Sequence, residues 1–263
     1  MATPALLWRP LDDNTVQCRL CAHFCRIPKD ERGRCGVREN RTGSLVSLSH
    51  DAVAALHLDP IEKKPLFHFL PGTLTLSLGT PGCNLGCAFC QNWDLSQPPR
   101  EGGPVRGQRI PPADLVRMAQ TSHAASVAYT YSEPTVFFEL MVETARLAQE
   151  VGLRNIMVSN GFQSPECLDD LGQLIHAANI DLKSFREDFY RHICAARLKP
   201  VLQNLVHMKK LGWHLEVTTL IIPGLNDSDQ ELTDIARFLC MELGKDIAWH
   251  VSRFHPCHLM QDR

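Results

Sequence analysis

Residues 73–93 read TLTLSLGTPGCNLGCAFCQNW, and the reading of this stretch decides the fold. The run Thr73–Leu78 alternates as a strand does and gives way to Gly79-Thr80-Pro81-Gly82, a turn-forming tetrad. Three cysteines follow at once, Cys83, Cys87 and Cys90, spaced C-x3-C-x2-C. In β/α proteins the loops at the carboxyl ends of the strands carry the binding groups, and these cysteines stand in such a loop. Their spacing lets three sulfurs curl round one cuboidal [4Fe–4S] cluster, with Gly86 permitting a tight bend. A closed electron-transfer cluster takes four cysteines, so three leave one iron open to a substrate or cofactor. The bland alternative is a zinc knuckle or an inert cluster.

Beyond this loop the chain alternates short apolar runs with longer helical patterns. The predicted strands are Thr73–Leu78, Ser126–Thr130, Asn155–Ser159, Asn179–Leu182, Leu215–Ile222 and Ile247–Ser252. Runs such as NIMVS and TTLII fit parallel strands covered on both faces. Helices are expected over PPADLVRMAQTSH, TVFFELMVETARLAQEVG, SPECLDDLGQLIHAA, a long stretch from Arg186 to Gly212, and SDQELTDIARFLCMELG. Ser164 before Pro165 reads as an N-cap, and Ser228 with Glu231 as a capping box. Residues 97–112, rich in Gly and Pro, read as a loop. Six strands alternating with helices make a doubly wound sheet or an incomplete (β/α) barrel, and the pattern alone fits both.

The chain has 263 residues, 44% of them hydrophobic, enough for one large core or two small ones. Lys and Arg total 27 against 29 Asp and Glu, a net charge of −2, so the charge does not support a nucleic-acid partner. The start has no secretory pattern, and no apolar run reaches the roughly 20 residues of a membrane span. A soluble, cytoplasmic protein without a membrane partner is expected. Of the eleven cysteines, seven fall in two tight groups, which favours metal binding over disulfides. Cys167, Cys194 and Cys240 read as small buried hydrophobes.

The second group, Cys18, Cys21, Cys25 and Cys35, is spaced C-x2-C-x3-C-x9-C. Four thiolates close a tetrahedral zinc site or hold an auxiliary cluster, and His23 is an alternative ligand for one of them. A structural metal is favoured, zinc over iron–sulfur, because four ligands leave no open position and the surrounding segment has little apolar material. The expected division is a Cys-rich, metal-binding extension over residues 1–65 and a core over 66–263.

The C-x3-C-x2-C loop after the first strand, with Phe89 before the last cysteine, resembles the defining motif of the radical S-adenosylmethionine superfamily. The strings CRLCAHFCRI, GRCGVREN, CNLGCAFCQNWDLSQ, AYTYSEPTVFFE, VSNGF, IDLKSF, EVTTLIIPGLNDS and WHVSRFHP extend the resemblance over about residues 15–257. They resemble most the radical enzymes of the AmmeMemoRadiSam system, relatives of pyruvate formate-lyase activating enzyme. The resemblance implies a [4Fe–4S] cluster on Cys83, Cys87 and Cys90 whose open iron chelates S-adenosylmethionine, with reductive cleavage to a 5′-deoxyadenosyl radical. It implies cofactor contacts from Glu133, where Tyr131-Ser132-Glu133 stands in place of Gly-Gly-Glu, and from Ser159 and Asn160. It implies further contacts from Asp181 and Lys183, which alternation puts on one side of their strand, and from His255. Ile222-Pro223-Gly224 resembles a segment that packs on adenine. Thr218 or a neighbour stands where an arginine contact is found in the activating enzymes, so that contact is not carried over.

The adopted reading is an α/β protein, an incomplete (β/α)6 TIM-like barrel with a small Cys-rich N-terminal extension. As a radical enzyme it would take hydrogen from an unidentified substrate, a glycyl-radical protein among the options, and need an electron donor such as flavodoxin or ferredoxin. The rival is a non-catalytic iron–sulfur or zinc protein, an electron carrier or binding module. Members of the resembled family continue past the sixth strand, so a shortened carboxyl end is also expected.

Overall fold

The computed structural model describes residues 3–262. Its centre is a seven-stranded sheet formed by β1 (Ala55–Pro60), β2 (Leu74–Gly79), β3 (Ser126–Tyr129), β4 (Arg154–Ser159), β5 (Ala177–Asp181), β6 (His214–Ile221) and β7 (Ala248–Arg253). Strands β2 to β7 are parallel, and each pairs with its neighbours in the chain. This uninterrupted order has no point where the winding reverses, as a doubly wound sheet must have. It is the order of an incomplete barrel. All six predicted strands are present, each shifted by at most two residues at either end.

The antiparallel strand β1 was not foreseen. It pairs along the whole of β2, from Ala55 opposite Gly79 to Pro60 opposite Leu74, so the sheet begins within the stretch read as extension. Its sequence, ALHLDP, alternates too weakly to announce a strand. Residues 61–70 then turn back beneath the sheet. Ile61 and Leu66 pack against Ile156 and the two alanines Ala128 and Ala177, whose small side chains leave room for them inside the curved sheet. Glu216 on β6 accepts the amides of Phe67 and His68 at 3.1 and 2.8 Å. These contacts cover part of the end of the sheet where the strands begin, beside a cleft lined by Phe69, Arg154, His176 and His214.

Besides a single turn at Trp93–Ser96, the helices are α1 (Pro112–Thr121), α2 (Phe138–Glu150), α3 (Pro165–Leu171), α4 (Glu187–Ile193), α5 (Leu198–Lys210) and α6 (Asp229–Phe238). Ser164 accepts the amide of Cys167 and Ser228 that of Glu231, as predicted, but the Glu231 carboxylate turns to the Ser184 hydroxyl and the Phe185 amide, so the reciprocal half of the capping box is not made. The long stretch from Arg186 is two helices, broken at Cys194–Arg197 with Ala195 at φ +54°. The extension forms two three-stranded antiparallel sheets. It has no separate core, because Val16, Ile27 and Leu45 belong to the same buried cluster as Leu78, Phe162 and Leu205. Among the described residues no helix is long and apolar enough to cross a membrane.

Leu66, wholly buried in the floor, tests this account. Leu66→Ala should destabilise the fold by about 2–5 kcal/mol through lost burial and a residual cavity, read as a lowered thermal midpoint with secondary structure retained.

Candidate cluster and ligand site

The loop after β2 has no ladder of its own and is fastened from several sides. Gly86 donates its amide to Cys194 O and Ala88 to Ile193 O, both at 2.9 Å. The Arg100 guanidinium reaches the carbonyls of Arg34, Cys83 and Asn84. A Cβ on Gly86 would stand 2.8 Å from Arg100 Nη2. Gly86 therefore serves close approach, while the left-handed backbone of this loop is at Gly82, φ +102°, where a Cβ would meet Val37 at 2.7 Å.

Cys83, Cys87 and Cys90 line one cavity of about 430 Å³ at the carboxyl ends of the strands. Ser159, Asn160, Asp181 and Lys183 line it too, so four of the six predicted cofactor-binding residues meet the three cysteines there. Asn160 Nδ2 donates to Asn84 Oδ1 at 2.8 Å and approaches Cys83 Sγ at 3.7 Å. Lys183 Nζ lies 2.9 Å from Asp181 Oδ2 and 5.7 Å from the centre of the Phe89 ring. Burial works against the Lys183 charge, but Asp181 and neighbouring sulfurs keep its pKa well above the usual lysine range. Burial also pushes the Cys83 and Cys90 thiols up. A cationic iron core is the partner that reverses such a shift.

Glu133 and His255 are placed differently. Glu133 is fully buried and does not line the cavity. Its Oε1 accepts from the Thr135 amide at 3.1 Å and from the Thr135 and Ser159 hydroxyls, and its Oε2 from the Asn160 amide at 2.9 Å. Burial raises its pKa in spite of these donors. The carboxylate thus caps the turn after β3 and braces Ser159 and Asn160 from behind. His255 is exposed beyond β7 and is absent from the lining. His250 points to the end where the strands begin and bonds Glu216 Oε2 at 2.6 Å there. Thr218 does line the cavity, and its hydroxyl donates to Asn179 Oδ1.

Sequence reading missed the wall made by Lys63, Lys64 and Tyr131. Tyr131 adopts φ +70°, a left-handed conformation costly for a tyrosine. Its hydroxyl donates to Asp59 Oδ2 at 2.7 Å, and Lys64 Nζ sits 4.6 Å from its ring centre. The signal was there in Tyr131-Ser132-Glu133, where the resemblance leads one to expect Gly-Gly-Glu, because a tyrosine in a glycine's place needs outside support. Cys194, read as a bland hydrophobe, is wholly buried and lies beside the Cys87 thiol, whose pKa it helps to raise. Cys257 donates to Phe89 O at 3.3 Å. Neither lines the cavity.

The four amino-terminal cysteines meet at a second, much smaller cavity, with His23, Arg38 and Asn84. The His23 ring has its Nε2 on Asn84 O at 2.8 Å, and burial lowers its pKa to about 4. Among the described residues, no group of three or more His, Cys, Asp or Glu is disposed to hold a single metal ion. A cluster spreads its ligands over several irons, so this geometry bears on single-ion sites only.

Fold and site together define a β/α half-barrel that presents three thiols beside a polar ligand cavity. The chain belongs to the Radical SAM superfamily, whose family profile matches residues 77–239. Members of that superfamily use S-adenosylmethionine and an iron–sulfur cluster for radical chemistry. An uncharacterized protein of Methanocaldococcus jannaschii is 43% identical over 258 residues, 98% of this chain and 76% of its own length. A putative glycyl-radical enzyme activating enzyme of the same organism is 26% identical over 164 residues, 59% of this chain and 64% of its own. The crystal structure of Streptococcus suis SuiB bound to S-adenosylmethionine shares the fold at TM-score 0.53 and 14% identity. That likeness covers 68% of this chain, which spans only 40% of SuiB.

Asp59 offers a test of the Tyr131 wall. Burial alone would raise its pKa, but hydrogen bonds from Lys64 and Tyr131, with the Lys64 charge, hold it well below the carboxylate range. Stability from a depressed folded-state pKa is present above the unfolded value, near pH 4, and is lost as pH falls below it. Asp59→Asn should therefore be less stable than wild type at neutral pH, with the gap in thermal midpoint narrowing below about pH 4.

Proposed function

We propose that Cys83, Cys87 and Cys90 hold a [4Fe–4S] cluster with one iron left for S-adenosylmethionine, and that the protein is a radical enzyme. The observation that carries this is the lining of the large cavity: among the described residues it contains these three cysteines and no fourth. When bound, cluster and S-adenosylmethionine supply a 5′-deoxyadenosyl radical able to take a hydrogen atom from a substrate. The chain's own part is to bind, orient and shield. Asn160, held by Glu133 and Asn84, offers its side-chain amide beside Cys83. Asp181 and Lys183 present opposite charges, matching the ammonium and carboxylate of a methionine moiety. Tyr131, fixed by Asp59 and Lys64, walls one side of the cavity.

The proposed substrate class is a protein glycyl residue, and the partial likeness to a putative glycyl-radical activating enzyme supports it. The electron would come from a low-potential donor of the flavodoxin or ferredoxin kind, in the cytoplasm.

Anaerobic reconstitution, reduction with dithionite and addition of S-adenosylmethionine should yield 5′-deoxyadenosine. Cys87→Ala should abolish the product and Cys194→Ala should keep it. Product that survives Cys87→Ala, or a wild-type cluster that forms yet never cleaves the cofactor, defeats the proposal. Asn160→Ala should weaken S-adenosylmethionine binding about tenfold, the usual cost of one hydrogen bond to a charged group. Equilibrium binding to the unreduced protein measures it, and unchanged affinity removes Asn160 from the site.

A further inference from the structure

We propose that Cys18, Cys21, Cys25 and Cys35 hold a second [4Fe–4S] cluster, on their disposition and on the lining of the cavity they share. A zinc tetrathiolate has Zn–S distances near 2.3 Å, which bring its sulfurs to about 3.8 Å from one another. Among the described residues no three of these cysteines are disposed to hold a single metal ion, although all four line one cavity. The ligands of a cluster sit on separate irons and need not converge on one point.

The other groups on this cavity agree. Arg38 is buried and donates from Nη1 to Cys18 Sγ at 3.4 Å, while its Nη2 pairs with the buried Glu139. Arg38 Nε and Asn84 Nδ2 are buried donors without partners, and both residues line the cavity. A zinc ion on four thiolates offers them no acceptor beyond the thiolates, whereas a cluster brings four sulfides as well. Four protein thiolates complete the ligand set, so this second centre has no open iron. Asn84 lines this cavity and follows Cys83 directly in the chain, so the two cysteine groups are separated by a single residue there.

This inference goes beyond the proposed function and is tested without it. The triple variant Cys83→Ala/Cys87→Ala/Cys90→Ala, reconstituted anaerobically with iron, sulfide and zinc all present, lacks the first centre whatever its role. It should keep about four irons and four sulfides per chain, with a paramagnetic signal on reduction. Cys21→Ala/Cys25→Ala in the same background should remove them. One zinc per chain without iron overturns the proposal, and so does a chain that takes up neither metal. Should the variants fail to fold, wild type decides by metal analysis. About eight irons without zinc support a second cluster, and about four irons with one zinc refute it.

Discussion

Three thiols, two of them buried, have to be aimed into one cavity by a loop that has no hydrogen-bonding ladder of its own, and the rest of the structure answers to that constraint. Backbone amides in such a loop must find partners elsewhere. Gly86 and Ala88 find theirs in the break between α4 and α5, and Arg100 binds the carbonyls on either side of the Cys83 peptide. The amino-terminal extension packs against Gly82. Extension, helix break and sheet share one core because all of them hold the same loop.

The walls follow a similar logic. Several polar residues that face the cavity are held by others that do not. Glu133 gathers Thr135, Ser159 and Asn160, and Asp59 holds Tyr131 and Lys64. A buried carboxylate is tolerable when several donors surround it, and such a hub fixes the orientation of every group it touches. Preorganised polar walls of this kind bind a charged ligand with little reordering.

The end where the strands begin completes the design. Ile61 and Leu66 fill the inside of the curved sheet, and Glu216 ties the amides of Phe67 and His68 to β6 with His214 and His250 beside it. The three cysteines and the cavity they line stand at the other end, where the strands finish.

By itself the sequence determined the strand–helix alternation, the helix caps and the cysteine loop. These are local signals: hydrophobic period, Ser–Pro and Ser–Glu cap patterns, and residue spacing. It also placed Ser159, Asn160, Asp181 and Lys183 at strand ends, and strand ends converge in any β/α fold. Only the tertiary structure decided that β1 joins the sheet, because ALHLDP forms a strand through pairing with β2 and not through its own pattern. It alone set Glu133 behind the wall and Tyr131 on it, and brought Cys194 to Cys87 across more than a hundred residues. Contacts between distant segments depend on how elements pack, and no local period records them.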